Sequence, residues 1–528
     1  MSVKPASRWH WNEPPVPSGT FRSLLDPSGA EAPASDALRW GRAQVTHDND
    51  VRLLVGGHEA LPRLLDAIAQ AEHSIHIEVM LFFNDDAGYQ VRDALLRRID
   101  ETGGRVKVRI LYDYLATSLG DPFLSKGINP FQLNTFMAPL RGAGAQVVDS
   151  SLTGDKDPER LESFADFIPP DLQESILNFP YEVRHAYRRM NAKVVELFRN
   201  PKLQRPIERF LGWAEKHEHT LADQVTPHRL VSRLAIHDHR KLFVFDGDLA
   251  FCGGMNIGQE YLYRHPFDPR LEVADEIRNP DNPEPWPKWH DTCCELRGPV
   301  VNTLQALFLR HFQRCGGSRP EGDDLEQCFP RPRAMAVPQA ARSGGMKVAV
   351  ATTIPGRPSE LEREAVALMQ GAEDRILLRN PYTIRPRFIG ALSHAAKRGL
   401  TVRALTPDDH NDSILHRALM RTWYPYLEDT GAEVREYRNH FTHTKALTVD
   451  GQRTLLGSFN YNNRSSILDF ECGIVVDDAT FATETERRLY HDDVESGLTE
   501  PPRKRPTFRQ SLEMTASLAV FEIWATFL

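Results

Sequence analysis

His239-Arg240-Lys241, then Asp246, then Gly253-Gly254-Met255-Asn256 forms one stretch of this chain, and His443-Thr444-Lys445, then Asp450, then Gly457-Ser458-Phe459-Asn460 forms another. In both, 7 positions separate the histidine from the aspartate and 17 separate it from the asparagine. Four residue types at matched spacing, twice, mark an internal repeat. A repeat is the first thing to settle, because missing it misreads the whole fold.

The flanks repeat as well. Ser74 to Phe82 alternates Ile75, Ile77, Val79 and Leu81 with polar or smaller residues, the period of a strand. Tyr89 to Ile99 reads as a helix, and Arg105 to Tyr112 as a second strand. The later copy runs Arg375 to Leu378 (strand), Pro386 to Lys397 (helix) and Leu400 to Leu405 (strand). Gly144-Ala145-Gln146-Val147 matches Gly431-Ala432-Glu433-Val434. From Gly144 to His239 is 95 positions, against 12 from Gly431 to His443, so the first copy carries 83 extra residues. The insertion falls within Ser150 to Ser232 (about 150–232). Its middle, Tyr181 to His217, reads as helical and basic, although Glu182, Glu196, Glu208 and Glu215 make a solvated face an equal reading.

The expected organisation is an arm at 1–45, a first half at 46–315, a Pro/Gly/Arg-rich linker at 316–345, a second half at 346–495 and a tail at 496–528. Arg503-Lys504-Arg505 in the tail precedes an apolar run, Met514 to Leu528. That run is too short to span a bilayer and reads as a packed terminal helix or an interfacial anchor.

The 528 residues carry 64 Lys and Arg against 72 Asp and Glu, a net charge of −8. That excludes a globally basic nucleic-acid coat. Six cysteines without a Cys-x-x-Cys pair make neither a disulfide scaffold nor a zinc site. Cys252, Cys293 and Cys294 lie in apolar runs and read as buried small hydrophobes. No apolar stretch reaches 18 residues, and Met1 to Asn12 lacks a signal-peptide core, so the expected setting is reducing and cytoplasmic.

On a strand, His239 and Lys241 share one face, as do His443 and Lys445. Two such strands brought together set two imidazoles and two ammonium groups around one point, and Asn256 and Asn460 add amide donors. This chemistry suits a phosphate: cations hold the oxygens, one imidazole attacks phosphorus, and the other protonates the leaving alcohol. The lysines supply the positive charge, so no metal or cofactor is expected. A carboxylate on each Nδ1 would fix the tautomer, and Glu471 and Asp291 are the candidates. His237 faces the His239 side and, since no third metal ligand is evident, reads as a neighbour tuning the site or as simply solvent-exposed. His290 reads as structural or at the rim. Gly253-Gly254 reads equally as a phosphate cradle or a close backbone approach.

These residues resemble the phospholipase D superfamily, whose signature is His-x-Lys-x4-Asp in two copies. The resemblance runs from about Leu53 to Asp478. It is nearest to bacterial cardiolipin synthases, on Trp289-His290-Asp291, Glu260-Tyr261, Asn380-Pro381-Tyr382, Arg464-Ser465 and Glu471. It implies an α/β fold of two pseudo-symmetric halves, each a mixed β-sheet flanked by helices, with the active site at their interface. It also implies a phosphohistidine intermediate, with His239 as nucleophile, His443 as acid/base, Glu471 on His239 and Asp291 on His443. By the same resemblance Lys241, Asp246, Lys445 and Asp450 complete the catalytic motifs, with the two aspartates in supporting roles. The implied substrate is a phospholipid at a membrane surface, and the acceptor an alcohol or water. The expected location is peripheral, at the inner face of a bacterial membrane, with no dimer needed and no nucleic acid expected. A hydrolytic phospholipase D, even one delivered into other cells, and a nuclease of the same superfamily are the alternatives.

Overall fold

The structure is a computed structural model that describes residues 45–119, 130–151, 237–261, 278–279, 282–285, 289–330, 345–355, 358–408, 414–438 and 440–502. The N-terminal arm, the insertion from 152 to 236 and the chain beyond 502 lie outside these residues, so the readings of the basic insertion and the apolar tail do too.

In the first half, β1 (Val45–Val55), β2 (Ser74–Val79), β3 (Lys107–Tyr112) and β4 (Gln146–Asp149) lead to a hairpin of β5 (Lys241–Phe245) and β6 (Leu249–Gly253). A short pair, β7 (Arg278–Asn279) and β8 (Asn282–Pro285), precedes β9 (Trp289–His290) and β10 (Thr292–Arg297). The second half contains β11 (Met346–Thr353), β12 (Arg375–Arg379), β13 (Thr401–Pro407), β14 (Glu433–Tyr437) and β15 (Phe441–Thr442). It ends with β16 (Ala446–Val449), β17 (Arg453–Gly457), β18 (Glu471–Asp477) and β19 (Thr499–Glu500).

One 15-stranded sheet runs β19-β14-β13-β12-β16-β17-β18-β11-β1-β10-β6-β5-β2-β3-β4. Outward from its centre the halves repeat each other: β1-β10-β6-β5-β2-β3-β4 on one side and β11-β18-β17-β16-β12-β13-β14 on the other. The join is the antiparallel pair β1–β11, and β2–β3–β4 and β12–β13–β14 are the parallel parts. Helices Asp86–Glu101 and Pro386–Lys397 make the equivalent crossovers. The first starts earlier than the periodicity suggests, because the Asp85 carboxylate caps it by accepting from Gly88 N at 3.0 Å.

Alternation along β2 separates two environments. Ile75, Ile77 and Val79 enter the core under helices Gly57–Gln70 and Asp86–Glu101. His76 and Glu78, on the other face, are also buried, where helix Val300–Arg314 brings Gln305 and His311 to them.

Part of the expected linker is structured. Gly322–Cys328 is a helix whose Cys328 is buried, and its Asp324 pairs with Arg109 of β3. An apolar residue and a partner for a buried arginine dock this piece, which its loop-like composition conceals.

Candidate active site

Each motif histidine lies just before its strand and is tied to the opposite half. His239 N donates to Phe470 O at 2.9 Å, and His443 N donates to His290 O at 2.8 Å. The residue after each of those carbonyls is a carboxylate, Glu471 and Asp291. The exchange therefore delivers each acid to the other half's imidazole. His239 Nδ1 lies 2.9 and 3.0 Å from the Glu471 oxygens, and His443 Nδ1 lies 2.7 Å from Asp291 Oδ2. With its carboxylate ionised, and so able only to accept, each ring donates from Nδ1 and keeps a lone pair on Nε2.

The two carboxylates are held differently. Glu471 also accepts from Ser465 Oγ at 2.6 Å and from Ser458 Oγ. At the position equivalent to Ser458 stands Gly254, where a Cβ would lie 2.2 Å from Asp291 Oδ1. The glycine makes room for the acid, so close approach is the physical reading of Gly253-Gly254. Asp291 Oδ1 instead accepts from Thr292 N at 2.7 Å.

Lys241 and Lys445 are buried, and their ammonium groups donate to the carbonyls of His239 and His443. Burial lowers Lys241 to about 8 and raises Glu471 to about 8 and Asp291 to about 6. Burial, reinforced by the neighbouring lysines, holds both imidazoles well below their ordinary range. The opposite shifts within each His–carboxylate pair have one cause: burial disfavours the charged form of each group.

Asp246 and Asp450 stand apart from this group. Each sits at the far end of its strand in a hairpin turn, with φ of 50° and 57°, followed by Gly247 at 63° and Gly451 at 59°. Two consecutive left-handed residues make the tight turn that matches strand twist. The Asp246 carboxylate accepts from the backbone N–H of Glu72, His73 and Ser74, each at 2.8 Å. Asp450 does the same for Glu373, Asp374 and Arg375 at 3.0, 2.8 and 2.9 Å. Both aspartates anchor the start of the neighbouring parallel strand.

The asparagines are also unequal. Asn256 Oδ1 accepts from Leu81 N at 3.1 Å and Nδ2 donates to the Tyr261 hydroxyl at 2.7 Å, so this amide is committed to the surrounding loop. Asn460 Oδ1 is buried without a hydrogen-bond partner among the described residues, and a flip of that amide turns a donor to the same point.

Behind the His239 strand, on its other face, lies a network that the sequence reading missed. Arg240 Nη1 is 3.1 Å from Glu78, and His311 Nδ1 is 2.8 Å from Glu78 and 3.3 Å from Asp238. Glu78, Asp238 and His311 are a metal-like trio, but the Arg240 guanidinium already supplies the cation among them. Arg240 and His311 both pack on the ring of Phe470, the residue that bonds His239 N. His290, expected as structural, is buried with Nδ1 at 3.2 Å from Thr444 Oγ1. Cys252, Cys293 and Cys294 are buried free thiols.

A family profile described as "Cardiolipin synthase, PLD-like domain" matches residues 365–492. The cardiolipin synthase of Alkalihalophilus pseudofirmus is 25% identical over 485 residues, covering 91% of this chain and 74% of that protein. The cardiolipin synthase of Geobacillus thermodenitrificans is 25% identical over 461 residues, covering 87% and 68%. The chain is thus similar to phospholipase D-like proteins over residues 365–492 and to cardiolipin synthases along most of its length. Among solved structures, phosphatidylserine synthase from Haemophilus influenzae Rd KW20 shares this fold with a TM-score of 0.54 and 14% identity, over 90% of this chain and 95% of that one. Among the described residues, no helix is long and apolar enough to cross a membrane.

Proposed function

We propose that this protein transfers phosphatidyl groups between alcohols, in the manner of a cardiolipin synthase, through a phosphohistidine. The observation that carries the reading is the pair of histidines, each fixed by a carboxylate of the other half and each beside a buried lysine. The similarity to cardiolipin synthases supplies the substrate class.

In the first step the lone pair of His239 Nε2 attacks phosphorus while Glu471 takes the charge appearing on its Nδ1–H. The bond to the leaving alcohol breaks, and His443 Nε2 gives that oxygen its proton. In the second step an acceptor hydroxyl gives its proton to His443 Nε2 and bonds to phosphorus, and the His239 Nε2–P bond breaks. Burial keeps His239 neutral, as a nucleophile requires. His443 must be protonated at the start. The anionic phosphodiester supplies a negative charge that the empty site lacks, which favours the imidazolium paired with Asp291. Asp291 suits that role better than Glu471, because burial raises it less. Lys241 and Lys445 neutralise the non-bridging oxygens, whose charge grows in the transition state. Asn460 is placed to add an amide donor.

The product decides between transfer and hydrolysis. Purified protein would be incubated with phosphatidylglycerol and phosphatidylethanolamine vesicles, with and without glycerol, and the lipids weighed by mass spectrometry. Cardiolipin or another exchanged lipid is the expected product. Phosphatidic acid alone would make the protein a hydrolase. No lipid product at all would overturn the lipid reading in favour of a nuclease, with single-stranded DNA as the next substrate.

A further inference from the structure

The mechanism uses two histidine–carboxylate pairs, but the site contains a third. His237 Nδ1 lies 2.7 Å from Asp113 Oδ2, and Asp113 is fully buried at the end of β3. His237 O accepts from Phe470 N at 2.9 Å, and His239 N donates to Phe470 O at 2.9 Å, so residues 237–239 are extended. The side chains of His237 and His239 therefore share a face, about 6.6 Å apart along the chain.

Exposure rises along that face. Lys241 is 1% exposed, the His239 side chain is 11% exposed and the His237 side chain 17%. The open end of the His239 side therefore lies at His237. The other motif has no such group. Phe441 stands two positions before His443, buried and packed on Trp289, with Tyr261 and Tyr382 completing an aromatic wall around His443. One side of a pseudo-symmetric site is polar where its twin is apolar.

The carboxylates at the polar side already accept from donors among the described residues. Asp113 holds His237, and Asp469 holds Arg464 at 2.8 Å while accepting from His237 N at 3.3 Å. Asp149, next to them, accepts from Tyr114 N and from the Ser151 N–H and hydroxyl. What remains is the lone pair of His237 Nε2, left outward because Asp113 takes the proton side of the ring. It is an acceptor for a neutral O–H.

We propose that the His237–Asp113 pair is the acceptor subsite, selecting an alcohol that carries a second hydroxyl over one that does not. The reacting hydroxyl bonds to phosphorus, its proton goes to His443 Nε2, and the electron pair of the breaking N–P bond returns to His239. The further hydroxyl meanwhile donates to His237 Nε2. This inference rests on the transfer reading above.

The test compares transfer to glycerol and to 1-propanol at equal concentration, using phosphatidylglycerol vesicles, in the wild type, His237→Ala and Asp113→Asn. One neutral hydrogen bond predicts that the glycerol-to-propanol preference falls about 3- to 10-fold in His237→Ala. Asp113→Asn, which frees the tautomer, should shift it the same way by less. Trapping of the phosphatidyl group on the protein, read by mass spectrometry, is run alongside. An unchanged preference in His237→Ala that still transfers would overturn the subsite. A wild type that neither transfers nor forms the adduct would overturn the transfer reading instead. If His237→Ala fails to fold, the Asp113→Asn ratio decides, and an unchanged ratio there counts against the subsite.

Discussion

Asp246, whose counterpart in the second signature is Asp450, sits about 17 Å from the Lys241 end of its strand, five residues away at about 3.3 Å each. Its carboxylate binds three backbone N–H groups, one exposed and two half-buried. Bonds to a charged acceptor contribute about 1.5–3 kcal/mol each when dry and less where water competes. Together with the left-handed φ, which alanine tolerates poorly, Asp246→Ala should cost about 2–4 kcal/mol. Asn keeps the turn conformation and one acceptor oxygen without the charge, so Asp246→Asn should cost about half as much. The assay pairs thermal unfolding with kcat on phosphatidylglycerol well below the transition. We expect Tm to fall by a few degrees and kcat to stay within about 3-fold of wild type. The structural reading of Asp246 would be refuted by Asp246→Asn unfolding like the wild type while losing about 1000-fold in kcat.

Lys241 is charged below its value of about 8 and neutral above it, so kcat/KM should fall as pH rises through about 8. Lys241→Arg, which cannot lose its proton in this range, should remove that limb even if the rate is lower; a limb still near 8 would assign it elsewhere. Glu78→Gln leaves Arg240 and His311 with less compensation in the core and should cost about 3–5 kcal/mol by urea unfolding; a loss under 1 kcal/mol would deny the network its role. A chelator should leave turnover intact, because the lysines carry the phosphate charge. Loss of activity restored by a divalent ion would contradict that division of labour.

The fold was legible where the chemistry is local. The matched spacing of His239 and His443 to their asparagines announced two halves, and alternation in β2 and β3 gave the parallel strands. What stayed hidden depends on neighbours that alternation cannot name. It puts Arg240 opposite His239 but does not say that Glu78 and His311 meet it there, 233 positions apart from each other. The cross-pairing of Glu471 and Asp291 came from family resemblance and matches the geometry. For the motif aspartates the Asp-Gly hairpin is the local signal, while the N–H cage each one fills depends on a neighbouring strand that the sequence does not name. Asp113, the partner of His237, lay at the end of a parallel strand, where sites in α/β sheets gather. That position was the clue available in the sequence.

The central claim is a phosphatidyl group carried on His239. His443→Asn should slow the acid and base steps while leaving the nucleophile in place. Brief incubation with phosphatidylglycerol, acid-free digestion and mass spectrometry would then locate the adduct. The account predicts a phosphatidyl mass on the peptide containing His239 and none in His239→Asn. An adduct on the His443 peptide of wild type, or turnover persisting in His239→Asn, would contradict it.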